Sequence, residues 1–393
     1  MLIVAETTVA VILLIGAGLL TRSFSRLLSV DLGFSTAAVQ TFTLTLPGSR
    51  YSQPLQRQEF LESLLSRVSS HPGVVSAAAI QGLPLTNFRY GISTSTRDGV
   101  TLSDEDQDRL TLQVRVVTPD YFKTMGIPVL EGRPFVATDR IGSQAVAILN
   151  RAAANRLWPD QSALGRQLEI GTRLGMGGAR SGGTVVGIVG DVHDFGPAQA
   201  ALPAIYLAHA QWPVDFLTIV ARAHGEPSAL VEPLRAALGD LDPEVPMFAV
   251  RSMDQIAATA VVQPRLYLVL IACFAGTAML LAAIGLYGVL TYAVGQRTRE
   301  IGIRLALGAK RGEVLRMVMG QAGRLSVAGV ILGLVAAALA SRLLRSQLFE
   351  VAPTDIATYL VVAAGLMAVA FVASWIPARR AARIDPITAP RHD

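Results

Sequence analysis

Cysteine, charged residues and aromatic residues are all scarce in this chain, and each scarcity removes a class of protein. The 393 residues include one cysteine, Cys273, which excludes a disulfide framework and a cysteine-based metal site. Aromatic residues make up 6% and no nucleic-acid-binding motif accompanies them, so the net charge of +5 does not indicate a nucleic-acid partner. Charged residues make up 16%, against about 25% in ordinary soluble proteins. With a mean hydropathy of +0.46, this balance indicates a membrane protein.

The apolar residues are concentrated in four runs near the length that a bilayer core requires, about 20 residues in a helix. The first run, 2–20, carries Glu6 as its only charge and lacks the basic start and the cleavage site of a signal peptide. The others cover 266–293, 325–341 and 356–376, and the third is rich in the small residues that let helices approach closely. The sequence therefore predicts an α-helical membrane protein with four transmembrane helices and a large α+β extracytoplasmic domain inserted after the first.

Basic residues orient these helices, because short loops rich in lysine and arginine stay in the cytoplasm. The loop after the second run carries seven basic residues against Glu300 and Glu313, and the C-terminal tail carries four arginines. Both are predicted to lie inside, which places the N-terminus inside and the large domain outside. Arg22 and Arg26 then lie on the unexpected side, but long translocated domains are largely exempt from the rule.

The predicted boundaries follow from the runs and the orientation. They are 1–21 for transmembrane helix 1, 22–264 for the periplasmic domain, 265–294 for transmembrane helix 2, 295–323 for a cytoplasmic coupling loop, 324–342 for transmembrane helix 3, 343–355 for a short periplasmic loop, 356–377 for transmembrane helix 4 and 378–393 for a cytoplasmic tail.

The large domain alternates strand-like and helix-like patterns, which is typical of an α+β fold, and its two successive units predict two subdomains. Strands are predicted at 40–46, 74–80, 110–117, 145–149, 184–189 and 216–221. Helices are predicted at 53–70, 119–125, 152–157 and 228–238, and a polar insertion at 98–108.

Few features of this domain favour chemistry. The glycine-rich stretch 175–183 lacks the Lys-Ser/Thr ending of a phosphate-binding loop, so it is interpreted as a hairpin tip. Asp191, His193 and Asp194 have a spacing that fits a metal ion, but no further ligand stands nearby, and we interpret them as solvated charges in a loop at a strand end. The histidines are scattered and form no catalytic arrangement. We therefore expect no enzyme activity, no metal and no cofactor.

The coupling loop is the most informative stretch of the chain. QRTREIGIRLALGAKRGEVLRMVMG (296–320) predicts two short helices broken at Gly308. Glu300 and Arg304 are spaced as a favourable pair on one helix face, and Ile301 and Leu305 form an apolar strip beside them. Such an amphipathic helix either docks into a groove on a soluble partner or lies on anionic lipid. The pattern alone leaves both alternatives open.

The segment TREIGIRLALGA (298–309) resembles the coupling segment of the MacB/FtsX-type ABC transporter permeases. LLAAIGLYGVLTYAVGQR and IPARRAARIDPI resemble the second span and the C-terminal end of that family. VTPDYFKTMGIPVLEGRPF, NRAAANRLWPDQSALGRQL and VVGIVGDV resemble its periplasmic core domain. The resemblance covers essentially the whole chain and is closest to the second copy in the duplicated permeases typical of acidobacteria.

The resemblance implies a half-transporter in the bacterial inner membrane whose multi-pass helices carry movement from a cytoplasmic ABC ATPase to a large periplasmic domain, for export or extraction of a substrate. Implied partners are that ATPase, a second permease half (a second copy or the other half of a duplicated chain), a periplasmic adaptor and the lipid bilayer. The chain itself contains no Walker-type loop, so ATP hydrolysis is expected on another polypeptide.

Position by position, the resemblance implies a set of residues that contact the ATPase. They are Arg297, Arg299, Glu300, Ile301, Gly302, Arg304, Leu305, Gly308 and Ala309. An alternative function from another class is a non-transporting FtsX-like adaptor, whose outer domain recruits or activates a periplasmic partner.

Overall fold

The computed structural model describes residues 2–170, 181–296, 311–343, 348–349 and 351–381. The chain divides into two compact units. One unit, here called the outer domain, comprises residues 30–262. The other, here called the helical unit, combines residues 1–29 with residues 263–393.

The helices and strands are numbered in chain order through the described residues. The helices are α1 (Leu2–Leu28), α2 (Pro54–Ser69), α3 (Asp104–Arg109), α4 (Tyr121–Met125), α5 (Arg151–Leu157), α6 (Val231–Gly239), α7 (Met253–Ala260), α8 (Val262–Gln296), α9 (Arg311–Ala340) and α10 (Ile356–Ala381). The strands are β1 (Val39–Thr45), β2 (Val74–Ile80), β3 (Gly91–Arg97), β4 (Val100–Thr101), β5 (Thr111–Val117), β6 (Val129–Gly132), β7 (Val146–Asn150), β8 (Gln167–Ile170), β9 (Ser181–Val189), β10 (Ala204–Ala208), β11 (Phe216–Ala223) and β12 (Phe248–Ser252).

Four helices of the helical unit are long and apolar enough to cross a membrane, within the part of the chain that the structure describes. Their candidate spans are Val4–Leu28, Arg265–Val289, Gly323–Ala340 and Ile356–Ile376. The first span ends seven residues beyond the predicted end at 21. Helix α9 begins at Arg311, so residues 311–323 of the predicted coupling loop continue the third span as one helix. A helix satisfies its own backbone hydrogen bonds, which makes such continuity favourable at a membrane surface.

The outer domain is built on one mixed sheet of twelve strands. At one end of the sheet the strand order is β12-β1-β11-β2, and each neighbouring pair is antiparallel. This end combines two β-α-β units, β1-α2-β2 and β11-α6-β12, whose strands alternate in the sheet. Strands β5, β10, β7, β9, β8 and β3 form a closed circuit, because β3 pairs both with β8 and with β5. The two parts meet where Ile80 of β2 pairs with Val117 of β5. The α+β fold is therefore confirmed, while the division into two subdomains stays a prediction.

Successive side chains of β1 point alternately to the two faces of the four-stranded end of the sheet. Phe42 and Leu44 point to the face that α2 and α6 cover, and they pack there with Leu61 and Leu64 of α2. Thr41 and Thr43 point to the opposite face, where no helix from β1-α2-β2 or β11-α6-β12 lies. The apolar periodicity of the sequence identified the first face.

The polar insertion predicted at 98–108 is partly regular in the structure. It contains β4 and α3, and Ser103 caps α3 by accepting a hydrogen bond from the backbone N–H of Asp106. Strands β3, β6, β8, β10 and β12 and helix α7 were not predicted either. Most of these elements are only two to five residues long, so they carry little periodic signal.

One of the scattered histidines gives the outer domain a pH-dependent stability. His209 is buried, and burial lowers its pKa to about 4. Below pH 6.5 the unfolded chain therefore binds a proton at this histidine, whereas the folded domain does not. The free energy of unfolding falls as the pH drops from 6.5 towards 4. We expect the outer domain to lose about 2 kcal/mol between pH 7.5 and pH 5 from this group.

Hydrogen exchange of the full chain at both pH values measures this loss. His209→Gln should remove that part of the pH dependence, whereas His224→Gln, at an exposed position, should leave it unchanged. Equal pH slopes in the wild type and His209→Gln would contradict the assignment.

Candidate functional site

The predicted ATPase-contacting residues, from Arg297 to Ala309, lie outside the described residues. The structure does describe both neighbouring elements, because α8 ends at Gln296 and α9 begins at Arg311. Each of these helices belongs to the helical unit. Movement applied to this segment would therefore act first on the ends of two long helices.

Helix α9 packs closely and in parallel against α1, through two glycines one helical turn apart. A Cβ atom built on Gly329 would lie 2.6 Å from Cβ of Thr7, and one built on Gly333 would lie 2.6 Å from Cβ of Val11. The Thr8 hydroxyl donates a hydrogen bond to the Gly329 carbonyl at 3.2 Å. The backbones thus approach as closely as the small-x-x-x-small pattern of membrane helices allows.

The other end of α1 is tied to α10 by polar contacts. Arg22 Nη1 lies 2.5 Å from Oδ2 of Asp355. The Thr358 hydroxyl and backbone N–H also donate to that carboxylate, and these bonds, helped by Arg22, hold the pKa of Asp355 below its usual value. Asp355 precedes α10 and lies in the loop predicted to be outside. Arg22 therefore has an acidic partner at that end of α1.

Glu6 is the acidic side chain near the start of the first span. Its carboxylate lies against α8, since a Cβ built on Gly285 would be 2.0 Å from Glu6 Oε2. That oxygen is buried and has no hydrogen-bond partner among the described residues. An ionisable group inside a membrane bundle costs free energy and is generally kept for function.

In the outer domain, Asp191 and His193 are half-buried and hydrogen-bonded, and Asp194 is buried. Asp191 accepts a hydrogen bond from the Ala152 N–H at the start of α5 (2.8 Å), and His193 Nδ1 bonds the Gln199 carbonyl (2.7 Å). Asp194 is only 5% exposed. The interpretation of this loop as solvated was wrong for Asp194, because its sequence position gives no sign of the buried arginine that faces it. No metal-ligand group of three acidic, histidine or cysteine residues occurs among the described residues.

Asp194 faces Arg115, a fully buried arginine at the middle of β5. Arg115 Nη2 lies 3.5 Å from Asp194 Oδ2, and both side chains are at most 5% exposed. Burial raises the pKa of Asp194, and the Arg115 guanidinium opposes that rise. Burial also raises the pKa of Tyr206, with the Asp194 carboxylate adding to the effect. The pair is therefore an internal structural charge pair that water does not screen.

The Arg115–Asp194 pair also holds the loop between β2 and β3. Arg115 Nη2 donates to the Phe88 carbonyl at 3.1 Å, and the Leu85 N–H donates to the Asp194 carbonyl at 2.7 Å. The guanidinium lies 5.5 Å from the centre of the Phe88 ring. The middle of the loop is thus bonded at Phe88 by the Arg115 guanidinium and at Leu85 by the backbone carbonyl of Asp194.

Sequence reasoning anticipated close helix packing through the small residues of the third run, but it missed Arg115 and the Glu6–Gly285 contact. Gly329 and Gly333 stand four apart in an apolar run, and that spacing is a recognised helix-packing signal. Arg115 interrupts the apolar strand TLQVRVV, which is a weaker sign, because most arginines in strands point to solvent. The Glu6–Gly285 contact has no local signal at all.

Comparison with known proteins adds family relationships to this geometry. The family model described as the MacB-like periplasmic core domain matches residues 1–240, and the model described as the FtsX-like permease C-terminal region matches residues 272–386. The first match alone covers more than half of the chain.

Similar curated proteins share between a quarter and a third of the aligned residues. The macrolide export ATP-binding/permease protein MacB of Marinobacter nauticus is 27% identical over 67% of this chain and 40% of its own length. The pyoverdine export ATP-binding/permease protein PvdT of Pseudomonas fluorescens is 32% identical over 67% of this chain and 40% of its own length. This chain thus spans about two fifths of the length of these relatives. The periplasmic region of MacB from Actinobacillus actinomycetemcomitans covers 60% of this chain, and 97% of that structure is covered, at 14% identity and a TM-score of 0.38.

Proposed function

Since the chain belongs to the MacB/FtsX-like family of ABC transporter permeases, as a multi-pass membrane protein with a periplasmic domain, we propose that it transmits ATPase-driven movement across the bacterial inner membrane. The ATPase acts on the coupling residues 297–309 from the cytoplasmic side. The periplasmic domain then moves, and this movement drives export or extraction of a substrate. The likeness to the second half of the duplicated acidobacterial permeases stays a prediction.

The parallel contact between α1 and α9 is the observation that supports this proposal. The coupling segment immediately precedes α9, α9 lies against α1 at Gly329 and Gly333, and the chain passes from α1 into the outer domain. A close backbone contact transmits displacement well because packed interfaces resist continuous deformation. Helix α8 immediately precedes the coupling segment in the chain, and it contacts the Glu6 carboxylate.

Roles within the coupling segment follow from residue chemistry. Ile301 and Leu305 supply the apolar contact to the ATPase, and Glu300 with Arg304 fixes the docking register. Gly308 provides a turn in the chain just before α9. A second permease half completes the membrane unit, as a second copy or as the other half of a longer chain.

The experiment replaces Glu300 and Gly308 together. The tagged full chain is purified from native membranes, and the ATP hydrolysis that co-purifies with it is measured. In Glu300→Ala/Gly308→Pro we expect this activity to fall at least about tenfold, because the charged contact and the turn are both lost. Membrane insertion and protease resistance of the outer domain should stay unchanged.

The matched control is Arg342→Gln, which removes a charge from the loop at the other end of α9. Its co-purified activity should equal that of the wild type. Undiminished activity in the Glu300/Gly308 variant would refute the proposed contact.

A further inference from the structure

A cavity of about 550 Å³ lies in the outer domain, on the sheet face opposite α2 and α6. Here it is called the aromatic cleft. Its volume falls within the range of about 300–1,000 Å³ that small-molecule sites occupy. The side chains that define it are Phe88, Phe216, Phe248, Thr43, Thr218 and Arg251.

Three phenylalanine rings form a continuous row along one side of the aromatic cleft. Phe88 and Phe216 are stacked, with centroids 6.4 Å apart and planes 13° apart, and Phe248 follows at 6.5 Å from Phe216. The row is not fully covered by protein, since Phe248 remains 39% exposed. Aromatic rings gain the most free energy when they are buried, so an open row of three favours an apolar or aromatic ligand.

Threonine side chains form the polar floor of the aromatic cleft, and their hydroxyls are already hydrogen-bonded within the protein. The Thr43 and Thr218 hydroxyls bond each other at 3.1 Å, and the Thr41 hydroxyl donates to the Arg251 carbonyl at 2.9 Å. These threonines are nearly fully buried. Their hydroxyls are satisfied within the protein, and the floor offers no charge.

Arg251 on β12 is the only charged residue among the described residues that line the aromatic cleft. No aspartate or glutamate lines the cavity, and Arg251 makes no ion pair within the part of the chain that the structure describes. The side chain is exposed, and the Arg251 backbone is paired with that of Thr41 between β12 and β1. A guanidinium with free donors matches the planar oxygens of a carboxylate or a phosphate.

The backbone around the aromatic cleft is held in unusual conformations. Leu85, Asn87 and Ala249 line it with φ values of 67°, 57° and 51°, and they are three of the six non-glycine residues with positive φ in the described chain. Strain of this kind persists only where the surroundings enforce it, and it gathers at ligand sites. For Leu85 and Asn87 the surroundings include the bond from Arg115 to the Phe88 carbonyl and the bond from the Leu85 N–H to the Asp194 backbone carbonyl.

We propose that the aromatic cleft binds an anionic amphiphile. The carboxylate or phosphate head bonds Arg251, and the apolar body lies along the row of Phe248, Phe216 and Phe88. The row gives affinity for the apolar part, and the unpaired guanidinium selects the negative head. This site stands on the outer domain alone and does not depend on coupling to an ATPase.

The test uses the full chain in nanodiscs of zwitterionic lipid and a photoreactive fatty acid that carries a diazirine. Its methyl ester serves as the uncharged comparison. Irradiation followed by peptide mapping should place saturable adducts on residues 82–88 and 248–259, and unlabelled dodecanoate should displace them. Adducts confined to the membrane helices would show partition into the bilayer only and would overturn the proposal.

Two variants and a control separate the head site from the row. Arg251→Gln should raise the apparent Kd for the acid about tenfold and leave the ester unchanged. Phe248→Ala, at a partly exposed position that tolerates truncation, should weaken both probes about fivefold or more. Arg235→Gln, which removes an exposed charge from α6, should change neither. Unchanged affinity in both cleft variants would also overturn the proposal.

Discussion

Replacing Arg115 with methionine is expected to lower the free energy of unfolding of the outer domain by about 3–5 kcal/mol. Methionine fills most of the volume of the arginine, so the loss comes from electrostatics and hydrogen bonds. The Asp194 carboxylate would remain 5% exposed without its counter-charge, and the Phe88 carbonyl would lose its donor. Removing one member of a buried pair costs more than the pair itself contributes, because the survivor stays desolvated.

The pH dependence of Arg115→Met follows from the same physics. Burial already raises the pKa of Asp194, and Arg115 limits that rise. Without Arg115 the pKa rises further, so the folded state binds a proton more tightly than the unfolded chain does. Stability must then fall as the pH increases through that range, because the unfolded state binds fewer protons. The deficit relative to wild type should be smallest at acidic pH and largest above neutrality.

Hydrogen exchange of the full chain measures both effects. The Leu85 amide should lose protection first, since its acceptor is the Asp194 carbonyl. Asp194→Leu combined with Arg115→Met should be less destabilising than the sum of the single variants, as expected for a coupled pair. The control is Arg109→Met, where an exposed pair with Glu105 is lost and a change within about 0.5 kcal/mol is expected. A loss below about 1 kcal/mol in Arg115→Met would contradict the structural role of the pair.

The membrane helices and most longer elements of the outer domain could be predicted because their signals are local. Residues 74–80 are an apolar run with β-branched side chains at Val74, Val75 and Ile80, and the structure has β2 at the same bounds. The helix predicted at 53–70 is observed as α2, with Pro54 in its first turn. Hydropathy over about 20 residues likewise identified the four runs, since a bilayer imposes one length on every span.

The pairing of distant residues could not be predicted in this way. Arg115 and Asp194 are far apart in sequence, and neither position is unusual until β5 and the loop after β9 are brought together. The aromatic cleft has the same origin, because Phe88, Phe216 and Phe248 come from three separate segments. Its threonine floor was visible only as the polar half of an alternating strand, and that alternation predicts solvent rather than a cavity.

Valine at both Gly329 and Gly333 is expected to separate α1 from α9 and to abolish transmission through the helical unit. Each new Cβ would meet the Cβ of Thr7 or Val11 at 2.6 Å, and a Cβ atom cannot rotate away as a side-chain end can. The backbones must therefore move apart. Overpacking of this kind costs about 1–3 kcal/mol per site, so the double variant should lose about 2–6 kcal/mol of helix association.

Two comparisons isolate this contact from general effects of valine in a helix. Gly320→Val/Gly323→Val changes the same helix at positions with nothing within 4 Å of a new Cβ, and it should retain wild-type hydrogen exchange in α1 and α9. Val11→Gly should partly restore the packing of Gly333→Val, because it removes the Cβ that the new side chain meets.

The functional measurement decides between a structural and a transmitting role for the α1–α9 contact. In Gly329→Val/Gly333→Val the coupling residues 297–309 are unaltered, so the ATPase should still co-purify and hydrolyse ATP. The movement should then fail to reach the periplasmic domain, and protease susceptibility of that domain should no longer change between ATP-bound and nucleotide-free states. If the double variant kept the nucleotide-dependent change, α1 would not be the route, and the other helix that borders the coupling segment, α8, would have to carry the movement.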